Sequence, residues 1–274
     1  MKIETSQIVV VIPVYRKTLL PDEVLSLKQA LQVLSRYRIV LVCPDRLDLA
    51  EYNDVTGIVL PVERFASCFF EGIEGYNKLM CSMDFYERFK KYVYMLIYQL
   101  DAWVFSDQLQ HWCNQEYDYI GAPWFGRHKT YEEGENLWAV GNGGFSLRRV
   151  AKFLQVCNPK SKVKSLRQYV CECPSPKYLF REISRYFRGR TMKQHRESKS
   201  YLWEDVYFSL GLDDTQYKMK TPSPEEAALF SMECSPRYLY FLVGQTLPFG
   251  CHGWRKYQYD DFWCQFIPTR KHEL

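Results

Sequence analysis

The sequence predicts an α/β fold in which a mixed, Rossmann-type sheet is flanked by helices. A continuous β-branched run at residues 8–12 is typical of a strand that is buried on both faces of a sheet. Pro21 suits the first position of a helix, and the apolar runs at residues 38–42 and 58–62 predict two further strands. This β-α-β-β opening is typical of a doubly wound sheet.

The later elements follow from the same kinds of pattern. We expect a helix over residues 73–89, with a break near Ser82, and an apolar strand over residues 92–98. Two short strands at residues 119–121 and 144–147 follow, and then a helix at residues 150–157. The expected organisation is a single domain over residues 1–274, with a basic and partly helical insertion at residues 158–200.

Length and composition limit the classes of protein to which the chain can belong. The 274 residues are 47% hydrophobic and 16% aromatic, which suffices for one large domain with a substantial core. The net charge of +4 is too small to indicate a nucleic-acid-binding protein, so we expect no nucleic-acid partner.

Targeting features predict a cytoplasmic protein. The apolar run at residues 8–12 is too short for a signal peptide, and no run reaches the roughly 18 apolar residues of a membrane-spanning helix. The ten cysteines contain no CxxC pair, which disfavours a structural zinc site. In the absence of a secretory signal they predict reduced thiols in a cytosol.

The segment at residues 158–200 differs in composition from the rest of the chain. It has twelve Lys and Arg against three Glu and no Asp. Leu179, Ile183, Tyr186 and Phe187 recur at helical spacing, which indicates a basic amphipathic helix. Such a segment is either a solvated surface insertion or a surface that contacts anionic lipid headgroups or a lipid-linked diphosphate.

Asp101 follows the predicted strand at residues 92–98. The carboxyl end of a buried strand is where open α/β sheets bind ligands. A carboxylate at that position can hold a hard divalent cation beside phosphate oxygens. The same residue type also forms turns and caps helices, so the position alone leaves both interpretations open.

Glycines and acids mark two further candidate sites. Residues 141–144 contain three glycines, which allow either a tight turn or close approach of the backbone to a ligand. Glu204 and Asp205 open an apolar helical run after Trp203. Either acid is a candidate general base, although acids in a first turn also stabilise the helix dipole.

His252 is one of five histidines and lies between Cys251 and Gly253. The flanking glycines, Gly250 and Gly253, predict a loop with an accessible ring. A neutral imidazole there is a candidate ligand for a Mn²⁺-like ion, and a purely structural role is the other interpretation.

Taken in order, four segments resemble the GT-A glycosyltransferase superfamily. They lie at residues 99–105, 118–124, 141–148 and 204–209, and they are similar to the QxDxxVF, YDYIGAPW, GNGGFSLR and EDVxFS motifs of a bacterial family of unknown function. The resemblance covers roughly residues 5–260 and is weakest in the basic segment. It implies a GT-A-like fold and a glycosyltransferase activity.

The resemblance also implies a metal site and a general base. Asp101 is similar to the last acid of the DxD motif, whose first acid is replaced by Gln99. His252 is similar to the histidine that completes the metal site, so the expected cofactor is Mn²⁺ or Mg²⁺. Glu204 and Asp205 are similar to the paired acids of inverting transferases, with Asp205 favoured as the base.

The remaining roles concern the substrates. The residues expected to contact the nucleotide are Pro13, Val14, Tyr15, Asp45, Gln99 and Asp101. The residues expected to face the donor sugar and the acceptor are Trp124, Gly143, Gly144 and Trp203.

The reaction implied is single displacement from a nucleotide sugar, with a UDP-sugar as the default donor and GDP not excluded. The implied acceptor is a glycan or a polyprenyl-linked glycan in surface polysaccharide synthesis, at the inner face of the cytoplasmic membrane. A retaining transferase, a non-catalytic nucleotide-sugar-binding module, and a metal-dependent phosphoesterase or nucleotidyltransferase are the other classes that such a site allows.

Overall fold

The structure is a computed structural model that describes residues 2–126, 135–200 and 202–268. The strands are β1 (Ile8–Pro13), β2 (Arg38–Pro44), β3 (Val62–Phe65), β4 (Tyr94–Tyr98), β5 (Ala102–Val104), β6 (Tyr119–Ile120), β7 (Ala122–Phe125), β8 (Leu137–Gly141), β9 (Phe145–Arg149), β10 (Ser231–Met232) and β11 (Gly250–His252). The helices are α1 (Pro21–Val33), α2 (Ala50–Thr56), α3 (Gly72–Met80), α4 (Met83–Arg88), α5 (Leu109–Asn114), α6 (Val150–Cys157), α7 (Leu166–Cys171), α8 (Leu179–Arg188), α9 (Met192–Ser198), α10 (Glu204–Ser209), α11 (Pro224–Phe230) and α12 (Pro236–Leu242).

A six-stranded mixed sheet forms the centre of the fold, in the order β3-β2-β1-β4-β9-β6. Strands β3, β2, β1 and β4 are parallel, and β9 is antiparallel to both of its neighbours. The predicted α/β class, with a mixed sheet flanked by helices, is confirmed. The strand order reverses between β1 and β4, and a crevice at such a switch point is the usual ligand site of an open α/β sheet.

Strand β1 is buried along its whole length, as its β-branched run predicts. Val10 packs into the apolar core beneath α1, whereas Val9 packs into a second core on the opposite face. Each fully buried aliphatic side chain contributes about 1.5–3 kcal/mol through removal of apolar surface from water. Burial on both faces therefore holds the carboxyl end of β1 in a fixed position beside β4.

The third strand is displaced from its predicted position. The prediction was residues 58–62, whereas β3 begins at Val62. Helix α2 is capped at its C-terminus by Gly57, which has a left-handed φ of 69°, and Pro61 has no N–H to donate to a ladder. The apolar residues between them therefore form the connection, and pairing with β2 starts only after the proline.

His252 is the last residue of strand β11, so the predicted loop is wrong. Strand β11 pairs with β5, in a register that sets His252 opposite Ala102. Gly250 lets the strand approach the core, because a Cβ there would collide with the Phe145 ring. The His252 side chain is only 16% exposed. It is therefore fixed by strand pairing and lies next to the turn that carries Asp101.

The basic segment at residues 158–200 contains α7, α8 and α9, and the helix expected around residues 179–187 is α8. Met192 on α9 is buried in the core that also contains Phe153 of α6. Of the helices in the described parts of the chain, none is both long enough and apolar enough to cross a bilayer.

Candidate active site

A cleft of about 840 Å³ opens at the carboxyl ends of β1 and β4. Pro13, Val14 and Tyr15 come directly after or at the end of β1, and Gln99 and Asp101 come directly after β4. The cleft therefore lies at the switch point of the sheet, where the direction of the crossovers changes. The Tyr15 ring is 55% exposed, which leaves one face available for stacking.

A tight turn between β4 and β5 presents Asp101. The N–H of Ala102 donates to the carbonyl of Gln99, and the N–H of Gln99 donates to the carbonyl of Gly144. The turn is thus fixed on one side by β5 and on the other by the glycine-rich loop. Asp101 is half exposed, with 56% of its side chain accessible.

The His252 ring contacts four polar side chains, one of which is Asn142, whose Nδ2 lies 3.0 Å from His252 Nδ1. Its Nε2 lies 3.1 Å from Asp101 Oδ1 and 3.2 Å from Gln99 Oε1, and its Nδ1 lies 2.9 Å from Glu233 Oε1. Burial alone would lower the pKa of His252, but Asp101 and Glu233 raise it to about 10. Partial loss of water around Asp101 would raise its pKa, but His252 outweighs this and holds the pKa below its usual value. With no ion bound, His252 is therefore a cation between two carboxylates.

The donor set fits a hard divalent cation. An octahedral ion with ligands at about 2.1 Å has neighbouring ligand atoms about 3.0 Å apart, close to the two distances at His252 Nε2. Glu233 accepts the Nδ1 proton, and such a partner usually fixes the ring of a metal-binding histidine. In the residues described, no group of three or more His, Cys, Asp and Glu is arranged around one point. The third protein ligand would therefore be the Gln99 amide oxygen.

Close approach of side chains explains the glycines of the loop after β8. A Cβ at Gly144 would collide with His252 Nε2, and a Cβ at Gly143 would collide with Glu204 Oε1. Asn142 adopts a positive φ of 97°, and its Oδ1 accepts the N–H groups of Gly144 and Phe145. The loop therefore lies between the histidine and the acid pair and leaves no room for larger residues.

Glu204 is buried in an ion pair. Arg148 Nη2 donates to both of its carboxylate oxygens at 3.2 and 3.3 Å, and also lies within 3.5 Å of the Gly143 carbonyl. Arg148 further donates to Tyr86 and to Ser146 from the interior of the sheet. Burial raises the pKa of Glu204 to about 7, although Arg148 opposes the shift. Glu204 therefore lies in the core beneath the glycine-rich loop, where Arg148 holds it.

Asp205 has a different environment from its neighbour. It is half-buried, and its Oδ1 accepts the N–H of Val206 at 2.8 Å. Burial raises its pKa, the hydrogen bond from Val206 opposes that shift, and the charge of Glu233 adds to it. A carboxylate with a raised pKa is suited to proton abstraction. Trp203, directly before the acid pair, is 52% exposed.

Trp124 and Asp45 are not among the residues that line the large cleft. Trp124 on β7 packs against Gly141, where a Cβ would collide with the indole ring. Asp45 lies in a separate shallow depression that it shares with Arg64 and Arg88. The structure therefore brings the turn after β1, the turn after β4, the glycine-rich loop and His252 together, and it places Asp45 apart from the large cleft.

Several residues of this site were not predicted. Glu233, which contacts His252, follows β10 and carries no recognisable motif. Asn142 and Arg148 lie inside the glycine-rich motif, but the sequence pattern assigns a role only to its glycines. Arg255, which lines the cleft and pairs with Asp22 at 2.8 Å, follows His252 by three residues, and this proximity is the signal in the sequence that points to it.

Three of the solved structures with a related arrangement of strands and helices are glycosyltransferases from eukaryotes. Core-mannan synthase A from Aspergillus fumigatus, in a Mn/GDP form, has 10% identity and a TM-score of 0.40, over 88% of this chain and 86% of its own. The mannosyltransferase Ktr4p from S. cerevisiae, in complex with GDP, has 10% identity and a TM-score of 0.44, over 81% and 68%. Mouse xyloside xylosyltransferase 1 has 9% identity and a TM-score of 0.46, over 89% and 96%. At these values the likeness is limited to a general arrangement of elements.

Sequence comparison adds a family but no activity. No curated protein matches the chain. The family described as "Protein of unknown function (DUF5672)" matches residues 59–252, which include the turn after β4, the glycine-rich loop, the acid pair and His252. The match covers more than half of the chain, and the chain therefore belongs to this family.

Proposed function

We propose that this protein is a metal-dependent glycosyltransferase that uses a nucleotide sugar, by default a UDP-sugar. The proposal rests on three donor atoms that converge beside the cleft at the switch point of the sheet. Asp101 Oδ1 and Gln99 Oε1 both lie within 3.2 Å of His252 Nε2. Oxygen and imidazole donors next to a nucleotide-sized cleft are what a metal–diphosphate complex requires.

The cleft has room for the donor. Pockets that bind small molecules and cofactors have volumes of about 300–1,000 Å³, and this one has about 840 Å³. Tyr15 offers an exposed ring for a nucleobase beside Pro13 and Val14, and Asp101 lines the same cleft. A nucleotide whose base stacks on Tyr15 would have its diphosphate near Asp101 and His252.

The proposed reaction is a single displacement. Gln99, Asp101 and His252 would hold a Mn²⁺ or Mg²⁺ ion, which neutralises the departing diphosphate. Asp205 takes the proton of the acceptor hydroxyl, and the hydroxyl oxygen bonds to the anomeric carbon from the face opposite the nucleotide. The bond between the anomeric carbon and the diphosphate breaks, so the configuration inverts.

The acceptor and the compartment are part of the same proposal. The acceptor would be a glycan or a polyprenyl-linked glycan that presents a hydroxyl at the mouth of the cleft. All ten cysteines are free, and six of them are buried, which supports a reducing compartment such as the cytoplasm.

Thermal unfolding in the presence of nucleotides tests the donor site. UDP, GDP, CMP and ADP are each added with and without Mn²⁺ to the wild type, to Asp101→Asn and to Asp261→Asn, an exposed matched control. We expect one nucleotide to raise the melting temperature only with Mn²⁺, and Asp101→Asn alone to lose the effect. If no nucleotide shifts the melting temperature, the nucleotide-sugar proposal fails.

A product analysis tests the stereochemistry. With the active donor identified, NMR of the anomeric proton in the first product distinguishes inversion from retention. Inversion agrees with Asp205 as a base, whereas retention contradicts the single displacement and leaves the donor site intact.

A further inference from the structure

Two phenylalanines on α8 are exposed to solvent. Phe180 is 87% exposed and Phe187 is 68% exposed. They are seven residues apart, so they lie on the same face of the helix. Leu166 and Val170 on the neighbouring helix α7 are 41% and 40% exposed. These four are among the five large apolar side chains that are exposed in the basic segment, and we call the exposed faces of the two helices that carry them the α7–α8 surface.

The positive charge of the protein is concentrated in the segment that contains this surface. Residues 158–200 have twelve basic and three acidic residues, a net charge of +9, whereas the rest of the chain has 24 basic and 29 acidic residues, a net charge of −5. Arg188 follows Phe187 directly and lies roughly 100° further round the helix. A solvated insertion explains basic side chains, but it does not explain two large aromatic rings beside them.

The helix is held so that the rings face outward. Glu182 on α8 is buried and pairs with Arg181 at 3.1 Å and with Arg185 at 2.7 Å. At about 100° per residue, Glu182 lies on the side of the helix opposite to Phe180 and Phe187. Both ion pairs lie within α8, whereas its Tyr186 ring packs edge-on against Tyr169 of α7, with ring centroids 6.0 Å apart. This packing lies on another side of the helix than Phe180 and Phe187, which are exposed to solvent together with Arg188.

We propose that the α7–α8 surface docks on an anionic lipid bilayer. Phe180 and Phe187 enter the boundary between headgroups and acyl chains, while the surrounding Lys and Arg contact the negative headgroups. The rings supply burial of apolar surface, and the net charge of +9 supplies selectivity for anionic lipid. The association is peripheral and reversible, and it is independent of the proposed transferase activity.

Vesicle sedimentation of the full chain tests the proposal. Vesicles of phosphatidylcholine alone are compared with vesicles that contain one quarter phosphatidylglycerol, at low and at high salt. We expect binding to the anionic vesicles only, and loss of that binding at high salt because the ions screen the headgroup charge. Absence of sedimentation with anionic vesicles at low salt would overturn the proposal.

Matched variants separate the two contributions. Phe180→Ser with Phe187→Ser should weaken binding to anionic vesicles at least tenfold, whereas Phe241→Ser, at a similarly exposed ring on α12, should not. Lys177→Glu with Arg188→Glu should also weaken binding, more than the exposed pair Lys28→Glu with Lys78→Glu, which makes the same change in net charge. Equal losses in the two charge pairs would show that net charge alone attracts the protein, and would overturn the assignment to this surface.

Two further measurements keep the result unambiguous. Circular dichroism verifies that each variant is folded, and the nucleotide-dependent thermal shift should be unchanged in all of them. If sedimentation velocity shows that the wild type self-associates and that the double serine variant does not, the surface is a contact between copies of the chain and the membrane proposal fails.

Discussion

Removal of the Arg148 side chain should destabilise the protein, and more so at high pH. Arg148 is fully buried and Glu204 is 3% exposed, so Arg148→Met leaves a carboxylate in the core without its cation. Breaking a buried pair in this way costs about 3–5 kcal/mol. With about 2.1 cal/mol/K of unfolding entropy per residue over 274 residues, the melting temperature should fall by roughly 5–9 °C at pH 8.

The pH dependence follows from the pKa of Glu204. In the folded wild type burial raises this pKa to about 7, and Arg148, which lowers it, is absent from the variant. A raised pKa gives a contribution to stability that is fully present below the unfolded pKa of about 4.5 and is lost as the pH rises through the folded value. The variant therefore loses more stability than the wild type between pH 5.5 and pH 8.

Thermal unfolding followed by circular dichroism at pH 5.5 and pH 8 measures both effects. Arg148→Met with Glu204→Gln should recover part of the lost stability at pH 8 and should lose most of the pH dependence, because no carboxylate remains. Arg237→Met, at an exposed position on α12, should change the melting temperature by about 1 °C or less. An equal fall for Arg148→Met at both pH values would refute the assigned role of the pair.

The other predictions concern the metal ion and the base. Glu233→Gln should weaken Mn²⁺ binding about 10–100-fold in calorimetry, because a neutral amide replaces the carboxylate that accepts the Nδ1–H hydrogen bond, fixes the ring and makes His252 a more basic ligand. Gly144→Ala should abolish Mn²⁺ binding in the same assay, because the added methyl group collides with His252 Nε2. Mn²⁺ affinity should rise about tenfold per pH unit between pH 6 and pH 8, because His252, with a pKa of about 10, must release a proton to bind the ion. Asp205→Asn should lower kcat by about 10²–10⁴-fold and leave the nucleotide-dependent thermal shift unchanged.

Each of these has a control or an outcome that contradicts it. Glu225→Gln, on the exposed first turn of α11, should leave Mn²⁺ affinity at the wild-type value. Affinity that does not change with pH would mean that His252 is not a ligand. Wild-type turnover by Asp205→Asn would transfer the role of the base to another residue, and a lost thermal shift in that variant would indicate a donor-binding role instead.

Local sequence patterns predict the strands that are buried on both faces, because such strands need an uninterrupted apolar run. They also locate Asp101, since the end of a strand is visible in the sequence. They misplace β3, where a left-handed Gly57 and the missing N–H of Pro61 outweigh the apolar residues between them. They also place His252 in a loop, because the pairing of β11 with β5 joins segments that are about 150 residues apart in the sequence.

Partners of the site residues are beyond the reach of such patterns. Glu233 contacts His252 across 19 residues, and Arg148 contacts Glu204 across 56, with no periodicity that connects either pair. Their positions follow from the way the small β10-β11-β5 sheet and helix α10 pack around the central sheet. The role of a single acid such as Glu233, or of a buried arginine such as Arg148, can be inferred only when that packing is known.

The two adjacent acids at the start of α10 illustrate how the fold divides their roles. Successive side chains on a helix point about 100° apart, so neighbouring residues face different surroundings. Glu204 points inward, beneath Gly143 and onto Arg148, where its charge is balanced within the core. Asp205 faces the side where Glu233 raises its pKa, and no basic side chain forms an ion pair with it among the described contacts. A glutamate that is held by the core makes a poor proton acceptor, whereas a half-buried aspartate with a raised pKa makes a better one. The packing of α10 therefore supports the proposal that Asp205 is the base. The ion pair between Glu204 and Arg148 holds the start of α10 beneath the glycine-rich loop.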